Sequence, residues 1–163
     1  MIFISYRRSD SEVIVGRIYS EVCKHFPREA VFLDHDSIPL GRPFAEVIRE
    51  RLAASRYALV IIGPQWCSIL DKHTGRPRLE EESDFVRREV ELALNTPGVD
   101  VIPVWVMRAA TTTREIEELP VTLRPLFEKQ GMSIRPVPDE ETDLERLIQR
   151  LKPSTIRMRN EVE

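Results

Sequence analysis

Five short apolar runs recur along the chain, and segments of a different periodicity separate them. The runs are IFISY (2–6), AVFLD (30–34), YALVIIG (57–63), VDVIPVWV (99–106) and MSI (132–134). Three of the first four are nearly continuous rather than alternating, as expected for strands that are buried on both faces of a sheet. The pattern therefore predicts five strands in one buried parallel sheet.

Helical patterns lie between the apolar runs, with apolar side chains three or four residues apart. The positions that carry them are Ile14, Ile18, Val22 and Phe26, then Phe44, Val47, Ile48 and Leu52, then Val86, Val90, Ala93 and Leu94, and last Leu144, Leu147, Ile148 and Leu151. Residues 9–11 are candidate caps of the first helix, and Ser83 and Asp84 open the third. A weaker helix is predicted around 115–129.

Strands that alternate with helices through short connections indicate an α/β domain with right-handed crossovers. Ligands of such sheets bind beyond the carboxyl ends of the strands, near the point where the strand order reverses. The loops to inspect are residues 6–9, 34–43, 63–68 and 107–113. The polar stretch 71–82 has no periodicity and predicts a mobile surface loop.

Composition and charge narrow the class of protein. The chain has 163 residues, which suits one domain, expected at 1–152 with a linker or tail at 153–163. The formal net charge of −3 argues against direct nucleic-acid binding. The two cysteines and three histidines show no metal-ligand spacing, so no metal site is expected. The longest apolar stretch is too short to span a bilayer, and we expect a soluble cytoplasmic protein without a membrane partner.

The sequence lacks the motifs of several functions that are common in α/β domains of this kind. The turn after the first strand carries no glycine, so neither a dinucleotide fingerprint nor a P-loop is present. A phospho-receiver needs an acidic pair at that place, where this chain has Arg7 and Arg8, and an aspartate after the third strand, where it has Gly63 and Pro64. The site must therefore use other chemistry.

Two loops at the carboxyl edge carry candidate binding residues. Tyr6, Arg7 and Arg8 follow the first strand, and two arginines beside a helix start suit a phosphate or a carboxylate. Solvated surface charge is the alternative for each arginine. The loop DHDSIPLGRPF (34–44) is long for such a connection, which is more typical of a binding element than of a plain turn.

Glu89 is an unusual carboxylate in the third helix. On a wheel of about 100° per residue it flanks the apolar face, on the side shared by Phe85, while Arg88 and Glu91 point to solvent. Desolvating a carboxylate is costly, so the position needs a reason. Either Glu89 pairs with a partner such as Arg7 or Arg8, or it is functional.

The residues resemble a TIR domain. The motifs IFISYRRSD, VFLDHDSIPLGRPF, LVIIGPQW, DFVRREVELAL and VIPVWV occur in the order and spacing of that family, over about residues 2–152. The resemblance implies a flavodoxin-like five-stranded parallel sheet in the order 2-1-3-4-5, with helices on both faces. The likeness looks nearest to bacterial TIR effector domains that cleave NAD+ and to an animal TIR enzyme of axon degeneration that also cleaves NAD+.

The resemblance also implies a site. Glu89 stands where NAD-cleaving members have a catalytic glutamate, and Phe85 where they have an aromatic that lies along the substrate, often Trp. Residues 35–43 resemble the family's flexible BB loop, with Pro43 an added residue relative to the animal enzyme. The substrate-binding residues expected on this basis are Tyr6, Arg7, Arg8, Asp36, Ile38, Phe44, Trp66 and Phe85.

Three functions remain open at this point. The first is an NAD+ glycohydrolase that releases nicotinamide and ADP-ribose or a cyclic isomer. It needs no cofactor, since NAD+ is the substrate, and would be the effector of a bacterial antiphage system. The expected partners are other TIR domains, in a homo-oligomer or filament, and a regulatory domain outside this chain. The second is a non-catalytic TIR–TIR interaction module in signalling, and the third is a nucleotide-binding sensor without turnover.

Overall fold

A five-stranded parallel sheet forms the centre of the molecule, in the order β2-β1-β3-β4-β5. The computed structural model describes residues 1–33 and 38–153. Its strands are β1 Ile2–Ser5, β2 Val31–Leu33, β3 Tyr57–Ile62, β4 Asp100–Val106 and β5 Met132–Ile134. Every bound lies within one residue of its apolar run, so the strand predictions and the strand order are confirmed.

Helices cover both faces of the sheet, which confirms the flavodoxin-like arrangement. They are α1 Arg8–His25, α2 Phe44–Ala53, α3 Phe85–Leu94, α4 Thr113–Glu118 and α5 Glu140–Leu151. The apolar sides of α1 and α5 pack on one face of the sheet, and those of α2 and α3 pack on the other. The core is therefore two layers of side chains with the sheet between them.

Alternation along β1 decides which side chains reach α3. Ile2 and Ile4 belong to the cluster on the α1 face, whereas Phe3 belongs to the cluster on the α3 face. Side chains two residues apart on a strand share a face. Ser5 therefore points to the α3 side at the carboxyl end of β1, where the strand order reverses.

Helix α1 does not begin as the sequence predicts. Residues 9–11 lie inside the helix, whose N-cap is Arg7, and no side chain of the described residues provides the cap. The Arg7 carbonyl accepts the N–H groups of Asp10 and Ser11, both at 3.0 Å, so the backbone closes the first turn. The helix is kinked at Ser11, where φ is −141° and ψ is 20°. The Asp10 carboxylate is consequently available for another contact.

The helix predicted around 115–129 is two shorter pieces. Helix α4 begins at a capping box of Thr112 and Glu115 and ends at Glu118. Pro120 follows, and a 3₁₀ turn forms at Arg124–Glu128. Proline lacks an N–H and restricts the residue before it, so the helical pattern cannot run through this point.

The polar stretch 71–82 is anchored to the core, which the absence of periodicity did not predict. Leu79 is buried among the side chains on the α3 face and lies in the 3₁₀ turn Arg78–Glu80. The Asp71 carboxylate accepts the N–H groups of His73 and Thr74, at 2.8 and 2.9 Å. One apolar anchor and one turn thus give structure to an otherwise polar segment.

Two predicted segments lie partly or wholly outside the described residues. These are the loop 34–44, of which residues 38–44 are described, and the tail after residue 153. Within the described ranges no helix is long and apolar enough to cross a membrane. Within the same ranges no group of three His, Cys, Asp or Glu side chains is arranged to hold a metal ion.

Two glycines give a matched test of the packing. A Cβ at Gly63 would overlap the Asp10 carboxylate, whereas a Cβ at Gly16, inside α1, meets nothing within 4 Å. We expect Gly63→Ala to lower the free energy of unfolding by roughly 1–3 kcal/mol. Gly16→Ala should raise it by about 0.5–1 kcal/mol, because alanine favours the helix.

Urea unfolding of both glycine variants measures these changes. Adding Asp10→Ala to Gly63→Ala should recover part of the loss, since the overlapping group is then removed. Equal stability of the two single variants would show that the Asp10 side chain does not fill the space at Gly63.

Candidate functional site

A buried carboxylate lies at the carboxyl edge of the sheet, between β1 and α3. Glu89 is 3% exposed, and the Ser5 hydroxyl donates a hydrogen bond of 2.6 Å to its Oε2. Ser5 itself is 2% exposed. Glu89 is thus more deeply buried than a position flanking the apolar face suggests. A short hydrogen bond to an ionised oxygen is among the stronger ones and offsets part of the desolvation cost.

A second carboxylate of this region is bound to Arg7, which lies two residues beyond the end of β1. Arg7 donates from Nη1 and Nη2 to the two oxygens of Asp84, at 2.7 and 2.9 Å, and both side chains are 4% exposed. Asp84 is also the N-cap of α3, since its Oδ2 accepts the Arg87 N–H at 3.0 Å. The capping prediction for Asp84 is confirmed, and the same carboxylate serves a helix and an ion pair.

Two aromatic side chains contact each other at the starts of α2 and α3. Phe85, the first residue of α3, is 44% exposed, and its ring centroid is 4.7 Å from that of Phe44 at the start of α2. The Arg88 guanidinium lies 4.8 Å from the centroid of the Phe44 ring. Arg88 therefore contacts a ring, although the sequence predicted a solvent-facing position. An exposed aromatic beside a buried carboxylate can stack on a planar group of a ligand.

The other predicted binding residues are divided between surface and core. Arg8 is exposed at the start of α1, whereas Tyr6 is buried in the cluster on the α1 face. Ile38 is partly buried against the cluster on the α3 face. Trp66 is fully buried there, which favours a packing role over the predicted substrate contact. Asp36 lies outside the described residues.

A third carboxylate joins α1 to the loop after β3. Asp10 Oδ1 accepts the Gln65 N–H at 2.9 Å, while Oδ2 is buried and accepts no hydrogen bond from the described residues. Burial raises the pKa of Asp10, and the backbone hydrogen bonds and Arg7 oppose the shift. Three carboxylates, Asp10, Asp84 and Glu89, thus meet the carboxyl ends of the two central strands.

Sequence inspection missed Ser5, Asp84 and Asp10 as members of this site. Ser5 and Asp84 were read as part of a strand and as a cap, which they also are. The available signal was the spacing of Ser5, the last residue of β1, and Arg7, two residues further along a backbone that is still extended, since residues two apart on an extended chain point to the same side. Gly63 gave a further signal, since it leaves space for Asp10.

The described part of the long loop shows one exposed apolar side chain and one paired arginine. Leu40 is fully exposed. Arg42, two residues before α2, is folded onto that helix, where it donates to Glu50 and Glu46, and these carboxylates raise its pKa. Leu40 is therefore free of packing, and Arg42 forms ion pairs within the chain.

The nearby Cys67 is unsuited to nucleophilic chemistry. Burial, followed by the charges of Glu115 and Asp10, raises the pKa of its thiol to about 12. The thiolate is the reactive form, so this cysteine is almost wholly protonated at neutral pH. The carboxylates are the better candidates for chemistry at this edge.

The fold and the site define a flavodoxin-like α/β domain with a buried carboxylate beside the end of its first strand. A family model described as the TIR domain matches residues 2–148, so the chain belongs to the TIR domain family. No curated protein matches the chain. A similar solved structure is that of the TIR domains of the activated Roq1 resistosome, which directly recognises the pathogen effector XopQ. The TM-score is 0.66 at 15% identity, over 93% of this chain and 98% of that chain, which shows a shared fold.

The two tryptophans test whether Trp66 is a packing residue. Its Nε1 is buried and has no hydrogen-bond partner among the described residues, whereas the Trp105 Nε1 donates to Thr111 at 3.0 Å. A buried donor without a hydrogen bond costs about 1–3 kcal/mol, and Trp66→Phe removes that cost. The gain offsets part of the stability lost with the ring volume. We expect Trp66→Phe to destabilise less than Trp105→Phe, as measured by urea unfolding. A larger loss at Trp66 would indicate that its N–H has a partner.

Proposed function

We propose that this TIR domain is an NAD+ nucleosidase that cleaves the bond between nicotinamide and ribose. The observation that supports it best is the pairing of a buried, hydrogen-bonded Glu89 with an exposed Phe85 four residues earlier on α3. Membership of the TIR family agrees with this proposal. Glu89 would be the catalytic residue, and Phe85 would stack on the substrate.

One carboxylate is enough for this reaction. The nicotinamide ring of NAD+ is already cationic, so it leaves as a neutral molecule and needs no general acid. Glycosidases that act on O-glycosides need a second carboxyl group, because their leaving oxygen must be protonated. Departure of nicotinamide leaves an oxocarbenium-like ribose, and a fixed carboxylate in a poorly hydrated site stabilises that positive charge. Water then gives ADP-ribose, and attack by a base nitrogen of the same substrate gives a cyclic isomer.

Burial of Glu89 implies that the site must open before substrate binds. The rings of Phe44 and Phe85 are in contact beside the buried carboxylate. Phe44 follows the loop that carries Leu40, so a shift of this loop would separate the two rings. We propose that the closed arrangement has low activity, and that a neighbouring TIR domain stabilises an open one.

The wider role that we propose is that of an effector in bacterial antiphage defence, acting in the cytoplasm. A regulatory domain outside this chain would bring TIR domains together and raise their local concentration, which turns a weak contact into an effectively intramolecular one. A contact between two different surfaces can propagate into a filament. Neither a resident cofactor nor nucleic acid takes part in this proposal.

The second candidate function is a non-catalytic TIR–TIR interaction module. The observation that favours it is the full exposure of Leu40 on a loop, since exposed apolar side chains often belong to a contact surface. In this case Glu89 and Ser5 would stabilise the fold only. Nicotinamide release by concentrated protein separates the two functions.

Replacement of Glu89 tests the catalytic assignment. Glu89→Ala should lower the rate of nicotinamide release about 100–1000-fold, the usual effect of removing one preorganised electrostatic group. Glu89→Gln keeps the shape and can still accept the Ser5 hydroxyl, so it removes little but the charge. It should be nearly as inactive as Glu89→Ala.

Glu91→Gln is the matched control on the same helix. Glu91 binds Arg87 and Thr122 on the outer side of α3, away from Ser5. Its replacement should leave the rate within about two-fold of wild type while changing stability slightly. An active Glu89→Gln protein, folded by circular dichroism, would remove Glu89 from the chemistry.

A dilution series tests activation by assembly. The specific activity of wild type should rise with protein concentration, because each contact through the loop is weak. Leu40→Ser should move this rise to higher concentration and leave the activity at saturation unchanged. Val121→Ser, at another exposed apolar position, should have no effect. Specific activity that is constant over the whole series, from a protein that light scattering shows to be monomeric, would contradict activation by assembly.

A further inference from the structure

Ser5, the last residue of β1, and Arg7, two residues beyond it, each hold one carboxylate at the start of α3. Ser5 donates to Glu89, and two residues later Arg7 donates to Asp84. The two carboxylates are five residues apart, at the N-cap and in the second turn of α3. β1 and the N-terminal half of α3 are therefore joined at two points, one of which is the proposed catalytic residue.

Arg7 is poorly placed to bind a substrate phosphate. Both of its terminal nitrogens donate to Asp84, and its side chain is 4% exposed. Its Nε is buried and has no hydrogen-bond partner among the described residues. Arg8, the next residue, is exposed at the same edge. The arrangement favours Arg8 for contact with an anionic substrate and leaves a different role for Arg7.

Asp84 links this arginine to the start of α3. Its carboxylate accepts two hydrogen bonds from Arg7 and one from the Arg87 N–H, and Arg78 lies 3.8 Å away on the outer side. A helix is rigid over one or two turns, so a shift at its cap moves every side chain of those turns. Phe85 and Glu89 both lie in this stretch.

We infer that Arg7 is a positioning residue, which acts through the Asp84 carboxylate to fix the first turns of α3 and hence the places of Glu89 and Phe85. The inference rests on the proposed nucleosidase function. Misplacement of a reacting group by about 1 Å can cost two orders of magnitude in rate. Replacing one partner of a buried ion pair strongly destabilises a protein, because the other charge is left buried without a partner. Replacing both partners by uncharged groups is tolerated.

The test uses a double variant that avoids a stranded charge. Arg7→Met fills the same space, and Asp84→Ser retains an oxygen that can cap α3. We expect this double variant to fold, to lose at least ten-fold in kcat, and to keep its KM for NAD+ within about two-fold. Arg8→Ala should instead raise KM by a larger factor than it lowers kcat.

A second ion pair, whose arginine is more exposed than Arg7, provides the control. Arg135 binds Asp143 through Nε and Nη2, at 2.8 and 2.9 Å, and joins the end of β5 to α5 on the other side of the sheet. The double variant Arg135→Met with Asp143→Ser should change stability and leave kcat within about two-fold. An equal loss of kcat in both double variants would overturn the inference, because the effect would then follow stability and not position.

Two further results would overturn it. A raised KM with an unchanged kcat in the Arg7 double variant would make Arg7 a substrate-binding residue. An unchanged kcat and KM would make the pair purely structural. The expected result is a loss confined to kcat.

Hydrogen exchange separates failure of this inference from failure of the proposed function. If wild type releases no nicotinamide, the nucleosidase proposal fails. The positioning of α3 by the Arg7–Asp84 pair is then judged on hydrogen exchange alone. Amide protons in the first turns of α3 should exchange about ten-fold faster in the Arg7 double variant than in wild type. In the Arg135 control they should exchange at the wild-type rate. Unchanged protection in the Arg7 variant would show that the pair does not fix α3.

Discussion

Two carboxylates at the start of α3 are removed from water, and each must be stabilised by a donor from the end of β1 or the turn that follows it. A buried carboxylate without a partner is too costly to retain, so Ser5 and Arg7 have to lie opposite Glu89 and Asp84. This requirement fixes the position of the helix along the strand. A slip of one residue in β1 would turn Ser5 to the other face of the sheet, away from Glu89. The carboxyl end of β1 is thus held by polar contacts above a core that is otherwise apolar.

The architecture was predictable because it follows from repeated signals. Each strand is an apolar run, and each of the longer helices has an apolar face, so the element order can be read directly; the strand order came from the resemblance to TIR domains. The secondary-structure predictions were wrong where a single residue determines the local structure. Leu79 anchors the polar stretch 71–82, and Pro120 interrupts the helix predicted around 115–129. Periodicity averages over many positions and does not register a single anchor or a single break.

The candidate site could be predicted only in part, for a related reason. Glu89 was visible as a polar residue beside an apolar face, and Phe85 was found through the family resemblance. Their partners were not visible, because Ser5 and Glu89 are 84 residues apart in sequence and Arg7 and Asp84 are 77 apart. Such pairs are created by the crossover connections that bring α3 beneath β1. The arginine placed at a loop edge by the sequence is a buried residue for the same reason.

If the domain acts on NAD+, burial of Glu89 favours the chemical step but hinders the access of substrate to the carboxylate. A poorly hydrated carboxylate stabilises a developing positive charge more strongly than a hydrated one. The packing that keeps water from Glu89, which is 3% exposed, would also keep the substrate from it. On the proposed function, such a domain would be nearly inactive when isolated and would gain activity only when another molecule displaces the loop before α2. Because depletion of NAD+ harms the cell that makes the enzyme, low activity in the closed arrangement is consistent with a toxic effector that is released by assembly.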